Sequence, residues 1–490
     1  MRRSFDISLD KYMTISLTSS EFILLLPIAL LLYYLFPLRV RKYFLLLINI
    51  LFYASFGLAN TLILAISALI TWAGGIAVDK AIKSGRNGKK QTIALVSLMV
   101  IVLGLFKFGE NFNHSIVVPL GLSFFTFQEI SYIVDVRKGV VSAEKNFFTL
   151  LVYLSFFPTI TSGPIYRYKD FIAEHSKCEK GLRAEYEIIV NSIVYVLYGY
   201  FLIFVIAGRT GTVVDTVYSN YDEAGYGGIV LLATAFLYSI QIYVDFAGYS
   251  AIAIGIARIL GYKIPANFLN PYLSENIKEF WGRWHISLSS WLKDYIYIPL
   301  GGNRKGRLRK YINILITFVI SGIWHGVSGF NFIIWGCLHG LYQVTGDLLK
   351  PIKNYALAHS GIEKDSLFHR FVKQFATFVL VTFAWIFFRT STVDAVNYIE
   401  KMITTFRHVN FSRVLTIMNR WEWLILLAGI VILIFCELFE YYGKKRFDEL
   451  VISQGILFRW LVIIGLSLAI LIFGQYGSQH DASYFIYRDF

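Results

Sequence analysis

The sequence predicts an all-α fold: a polytopic membrane protein of about twelve transmembrane helices, with re-entrant and interfacial helices beside them. Three observations predict it. First, 56% of the 490 residues are hydrophobic and only 16% are charged, with a mean hydropathy of +0.57, well outside the balance of a soluble enzyme. Second, apolar runs long enough to cross roughly 30 Å of hydrocarbon recur along the chain. Third, Lys and Arg gather between those runs, as they do in loops facing the cytoplasm. The net charge of +14 therefore reads as basic loops facing the cytoplasm and anionic lipid, and no nucleic-acid partner is expected. The three cysteines, Cys178, Cys337 and Cys436, are widely scattered. They support neither a disulfide framework nor a structural zinc site, and no metal is expected.

In chain order, the apolar runs are Phe22–Phe36, Tyr43–Leu58, Asn60–Val78, Gln91–Phe108 and Ser115–Val134, with no cleavage pattern after the first. Phe147–Ile165 contains Pro158, Gly163 and Pro164, which predicts a broken, re-entrant segment covered by protein. Glu187–Gly208 follows. Gly228–Tyr262 is too long for one upright helix, and a break is expected near Asp245–Gly248. Beyond it lie Tyr311–Ser328, Phe332–Leu349, Gln374–Phe388, Trp421–Tyr442 and Ile456–Gly474. The positive-inside rule puts Arg39–Lys42, Lys80–Lys90, Arg137–Lys145, Arg167–Arg183, Arg258–Lys310, Lys350–Lys364 and Lys444–Arg446 in the cytoplasm and both termini outside. Phe388–Arg420 fits least, being basic yet assigned outside. No internal repeat or linker divides the chain, so residues 1–490 are expected to form one integral membrane domain.

Histidine, tryptophan, glycine and charge crowd together only between Asn270 and Gly340. An amphipathic helix is expected from Ser274, which can cap it, with Glu275 in the first turn. Its apolar stripe carries Phe280, Trp281, Trp284, Leu288 and Trp291 at helical spacing, with His285 at the edge. Periodicity leaves His285 open between a hydrogen-bonded interfacial residue and a catalytic one. His325 sits inside the apolar run beside Trp324 and Gly326. An ionisable group there is costly and by default functional, or it glues helices together. Gly322 and Gly326, at i and i+4, would let another helix approach closely. Asp245 reads equally as a site residue or as the partner of a helix break. The run Arg304–Lys310 reads as an anion-attracting patch or as a topology signal. Of the nine histidines, His114, His175, His359, His369, His408 and His480 fall in predicted loops or ends and are expected to be solvated. His339, in CLHG, repeats the local setting of His325. A nucleophile elbow, a phosphate loop and HExxH are absent.

Taken together, FWGRWHISLSSWLKDYIYIPLGGNR (Phe280–Arg304), SGIWHG (Ser321–Gly326) and WGCLHG (Trp335–Gly340) resemble the membrane-bound O-acyltransferase superfamily, above all its branch acting on bacterial polysaccharides such as alginate. Upstream, Val118–Val136, Ser155–Ile165 and Gln241–Gly255 also match in order. SGPIYRYKDF (Ser162–Phe171) and VDFAGYS look more like the teichoic-acid D-alanylation branch, and Ala251 replaces an acidic residue of the alginate branch. The core motifs span about 118–343, and 344–490 supplies additional transmembrane helices.

The resemblance implies a ring of helices around a central tunnel in a bacterial plasma membrane. It implies His325 as the active-site base and His285 as the second histidine of the site. Asp245, Trp324, Trp281, Trp284 and Arg304 are then substrate-binding candidates. It implies no tightly bound cofactor but an acyl thioester co-substrate, acetyl-coenzyme A or an acyl carrier protein, used on the cytoplasmic side. The acceptor would be an extracytoplasmic polysaccharide, reached directly or through a periplasmic acyltransferase partner. The implied reaction is acyl transfer, acetyl first and D-alanyl as the alternative. The rival class is a polysaccharide or lipid transporter, which would be expected to show inverted repeats.

Overall fold

The computed structural model describes residues 14–109, 118–181, 185–223, 225–326, 330–361, 363, 366–408 and 411–476; His114 and His480 lie outside the described residues. Regular structure among the described residues is entirely helical. The first helices are α1 (Ser20–Leu35), α2 (Leu38–Ala54), α3 (Leu58–Lys83), α4 (Lys89–Gly109) and α5 (Leu122–Arg137). Then come α6 (Phe147–Leu154), α7 (Phe157–Ile160), α8 (Tyr168–Glu179) and α9 (Tyr186–Phe201), which runs through a π segment into α10 (Gly208–Ser219). Next are α11 (Gly228–Ile259), α12 (Ile277–Arg283), α13 (Ile286–Leu292), α14 (Gly306–His325) and α15 (Asn331–Leu348). The chain continues through α16 (Lys350–His359), α17 (Leu367–Arg389), α18 (Thr392–Thr404), α19 (Ser412–Leu415), α20 (Arg420–Gly443), α21 (Phe447–Ile452) and α22 (Ile456–Phe473).

Seven helical segments among the described residues are long and apolar enough to cross a membrane: α3, α4, Tyr186–Ser219, α11, α17, α20 and α22. The remaining apolar runs of the sequence form shorter or more polar helices: α1 has 16 residues, and α14 opens on Arg307, Arg309 and Lys310. In α22 none of the apolar window is buried inside the protein, and in α4 only 17% is. Helices whose apolar side chains face outward in this way are stable only where the solvent is lipid.

The chain separates into two compact units, Met1–Ile188 with Ile256–Ile264, and Ile189–Gly255 with Pro265–Phe490. In the first, the Pro/Gly-interrupted segment is broken, as its sequence predicts, into α6 and α7, and it is buried from Thr149 to Ile165 except for half-buried Thr161. Asn49, fully buried on α2, meets the backbone polar groups that the break exposes. Its Oδ1 accepts from the Phe157 amide at 3.2 Å, and its Nδ2 donates to the Val152 carbonyl at 3.4 Å. Unpaired, those groups would cost on the order of 1–3 kcal/mol each. His175 departs from expectation. It is buried on α8, shares a 2.7 Å hydrogen bond with the Tyr262 hydroxyl and stacks on Phe171. Burial pushes its pKa below the ordinary imidazole value. His359 and His408 are exposed and His369 is half-buried.

α11 runs unbroken for 32 residues, against the break expected near Asp245–Gly248. Gly248 serves close approach instead. A Cβ there would fall 2.6 Å from Ile203 Cγ1 and 2.9 Å from the Gly199 carbonyl, and one on Gly199 would fall 2.7 Å from the Gly248 carbonyl. Paired small residues let two helix backbones touch, and the α11 hydrogen-bond ladder continues past Gly248.

Candidate active site

The single amphipathic helix expected from Ser274 is resolved into pieces. Ser274 does not cap it; its hydroxyl donates to the Pro271 carbonyl at 2.7 Å. The cap is Asn276, whose Oδ1 accepts from the Glu279 amide at 3.0 Å. The helix then stops at Arg283. Trp284 is extended, His285 takes a left-handed conformation at φ 42° and ψ 53°, and α13 restarts at Ile286. A left-handed non-glycine residue costs roughly 1–2 kcal/mol and persists only where its surroundings hold it. Here the neighbouring strap 267–269 holds it. The Leu269 amide donates to the Arg283 carbonyl at 3.0 Å, and the Ile286 amide donates to the Asn267 carbonyl at 2.9 Å. The bend turns the His285 ring inward, 2% exposed, edge-on to Phe246 at 4.7 Å.

His325 ends α14 as its last residue and is buried. The helix carrying it is pressed against α15. A Cβ on Gly322 would fall 2.3 Å from the Phe332 carbonyl oxygen, and one on Gly336 would fall 2.4 Å from the Phe318 carbonyl oxygen. Gly322 therefore does what its spacing predicts. Gly326 lies outside the helix as its C-cap, and the second close-approach glycine is Gly336 on α15.

This packing gathers one aromatic cluster. The His325 ring lies 4.4 Å from Trp324, 4.9 Å from Phe388 and 5.2 Å from Trp335. Trp335 touches His339 at 5.2 Å and stacks on Trp385 at 5.8 Å, and Trp385 meets Trp284 at 5.1 Å. Trp284, Trp335 and Trp385 are each 1% exposed or less. Around His325 itself, Trp335, Phe332 and Phe388 are buried apolar surfaces, and apolar surroundings strengthen any charge interaction made there.

His339, whose sequence setting repeats that of His325, is fully buried, and Trp281 Nε1 donates to its Nδ1 at 3.2 Å. An indole can only donate, so His339 carries its own proton on Nε2. Trp281 therefore does structural work in this site. Trp281→Phe should cost about 1–3 kcal/mol by leaving a buried acceptor unpaired, seen as a lower melting temperature of the detergent-purified protein.

Asp245 is buried on α11, one residue before the Phe246 that packs against His285. Arg304 is not part of the cluster: it lies exposed on the turn between the π segment Lys293–Tyr297 and α14. Two groups escaped sequence reasoning. Asn267 sits in an aperiodic loop and bonds to His285 and Ser287. Glu437, on α20, accepts from the Tyr243 hydroxyl and lines a cavity of about 40 Å³ with Ser250, Ala251, Asn267, Asn270 and Glu440. That volume holds about one water molecule. A carboxylate in a run of leucine and isoleucine was the available signal for Glu437. Among the described residues, no His, Cys, Asp and Glu cluster could hold a metal ion.

Comparison with known proteins gives this geometry a lineage. The membrane-bound O-acyltransferase family profile matches residues 137–371, a stretch containing Asp245, both signature histidines and the aromatic walls except Trp385 and Phe388. The probable alginate O-acetylase of Pseudomonas putida is 33% identical over 387 residues, covering 76% of each chain. The peptidoglycan O-acetyltransferase of Helicobacter pylori is 32% identical over 348 residues, 63% of this chain and 64% of its own. The teichoic acid D-alanyltransferase of Bacillus subtilis is 32% identical over 238 residues, 46% of this chain and 58% of its own. With signature motifs, buried histidines and extended identity in agreement, the chain belongs to the membrane-bound O-acyltransferase family.

Proposed function

We propose that this acyltransferase moves an acetyl group from a cytoplasmic thioester, acetyl-coenzyme A or an acyl carrier protein, to hydroxyls of an extracytoplasmic polysaccharide. It acts as one integral domain of about twelve crossings in a bacterial plasma membrane, with a passage from each face to His325. His325 removes the proton of the acceptor hydroxyl as its oxygen attacks the thioester carbonyl. The tetrahedral intermediate collapses, the carbon–sulfur bond breaks, and the thiolate recovers the proton from the imidazolium. The net change is thioester plus alcohol to ester plus thiol. His285 and Asp245 orient the reacting groups, and Trp324, Trp281 and Trp284 keep hydrolytic water out. A periplasmic or extracellular acyltransferase partner can take the acyl group onward.

The observation that carries this reading is the buried His325 at the end of a close-packed helix, in a chain a third identical to an alginate O-acetylase over most of its length. The test is the ester content of surface polysaccharide from a strain lacking the gene, with and without the wild-type chain, measured by mass spectrometry after mild base. Acetate restored by the wild-type chain is the expected result; an unchanged ester content overturns the reading.

D-Alanyl transfer is the second reading, favoured by SGPIYRYKDF and by the identity to a teichoic acid D-alanyltransferase. Release of D-alanine in place of acetate decides for it. Arg304–Lys310 serves the donor: its exposed cations face the phosphates of coenzyme A or an acidic carrier. Among the described residues, Lys310 of this run is tied down by a 2.7 Å pair with Asp347 that is itself exposed and worth little. Charge reversal across the run should raise the KM for the thioester several-fold and leave that for polymer unchanged. Equal effects on both would mark the run as a topology signal only.

A further inference from the structure

We propose that Asn267 is a positioning residue that fixes the tautomer of His285 and makes its Nε2 a proton acceptor. The inference rests on the reading above, in which His285 belongs to the acyl-transfer site. Three successive residues bond to Asn267. Its carbonyl accepts from the Ile286 amide at 2.9 Å. Its side-chain Oδ1 accepts from the Ser287 amide at 3.3 Å and from the Ser287 hydroxyl at 2.8 Å. The same Oδ1 lies 3.1 Å from His285 Nδ1.

The polarity of that last contact follows by elimination. A backbone amide can only donate, so the atom facing Ser287 is the oxygen of the Asn267 amide and not its nitrogen. The nitrogen, Nδ2, points the other way and donates to Ser250 Oγ on α11 at 3.2 Å. An amide oxygen can only accept, so His285 Nδ1 carries the proton of the neutral imidazole and the lone pair is on Nε2. His285 is thus the opposite tautomer to His339, whose Nδ1 accepts from Trp281.

The chemical consequence is directional. A neutral His285 in this state cannot donate from Nε2 to a thioester carbonyl or its oxyanion. It can accept, from the polymer hydroxyl or from a second imidazole. Asn267 also anchors the left-handed bend to α11 through Ser250, five residues beyond Asp245. One side chain therefore fixes both the direction of the His285 ring and which nitrogen can take a proton.

The direct test is ¹⁵N NMR of detergent-purified full-length protein labelled on histidine, with His285→Asn used to assign the signal. A protonated Nδ1 and a pyridine-type Nε2 are expected in the wild-type protein; the reverse tautomer overturns the proposal. The kinetic test uses permeabilised cells given labelled acetyl-coenzyme A. Asn267→Leu should lower kcat on the order of a hundredfold with little change in the KM for the thioester. Asn267→Asp, close in shape and still an acceptor for Nδ1–H, should restore most of the rate. Its negative charge stabilises the imidazolium and raises the pKa of His285, so the acid limb of the pH–rate profile should move to higher pH. A merely structural Asn267 predicts equal losses in both variants and an unmoved profile, which would overturn the assignment. Normal acylation by His325→Ala, by contrast, removes the mechanism above while leaving the tautomer measurement intact.

Discussion

His325→Ala is expected to leave the protein at its normal level in the membrane and to reduce polymer acylation by on the order of 10²–10⁴-fold, the usual contribution of a positioned base. The separation of the two effects follows from where the residue sits. His325 is the last residue of α14, so alanine there interrupts no helix interior. Its ring is replaced by a gap walled by Trp335, Phe388 and Phe332, at 5.2, 4.9 and 5.8 Å from the original centroid. Filling that gap tests chemistry apart from packing: His325→Gln keeps much of the volume and removes the base, and it should be as inactive as alanine. Ester content of surface polysaccharide gives the first readout and the amount of folded protein in detergent the second. Normal acylation by either variant would eliminate the imidazole from the reaction.

Gly322→Leu is expected to prevent accumulation of the folded protein. The new Cβ would meet the Phe332 carbonyl oxygen at 2.3 Å and the Ile333 Cα at 3.1 Å, backbone atoms that no rotamer can move aside. Separating α14 from α15 would undo the contact that presents His325 to Trp335. Overpacking of this kind costs about 1–3 kcal/mol where side chains can yield and more where they cannot. Gly346→Ala, on α15 with nothing within 4 Å of its Cβ, should accumulate as wild type. Gly326→Ala should be tolerated, because its extended backbone suits any residue and the atoms it approaches, 3.1 Å away, belong to the Phe332 side chain. Fluorescence-detected size-exclusion chromatography of the three variants checks the order. A well-folded Gly322→Leu protein would show that the two helices can part without loss.

Much of the site was legible residue by residue. His325 and His285 stand out because an imidazole in an apolar setting is costly, and both prove buried. Gly322 was readable from helical spacing. The broken segment at Pro158–Pro164 was readable from residues that cannot extend a helix. The failures share a cause. Helical periodicity runs without interruption from Ile277 to Tyr295, yet the chain bends at His285, because strap 267–269 supplies hydrogen bonds that outweigh the left-handed cost. Asp245–Gly248 looked like a break, yet Gly248 faces Gly199 in a closely packed helix pair. His175 looked solvated, yet Tyr262, far along the chain, bonds to it.

What the sequence by itself determined was the solvent and the chemistry available. Transfer free energies add along a segment, so an apolar run declares a membrane helix without reference to anything else. A histidine in such a run likewise declares an unusual expense. What only the tertiary structure decided was direction: which side chain the Nδ1 of His285 meets, which face of Gly322 is crowded, and which tryptophans enclose His325. Hydrogen bonds and van der Waals contacts act over a few ångströms between residues far apart in the chain. Their partners exist only once the helices have packed.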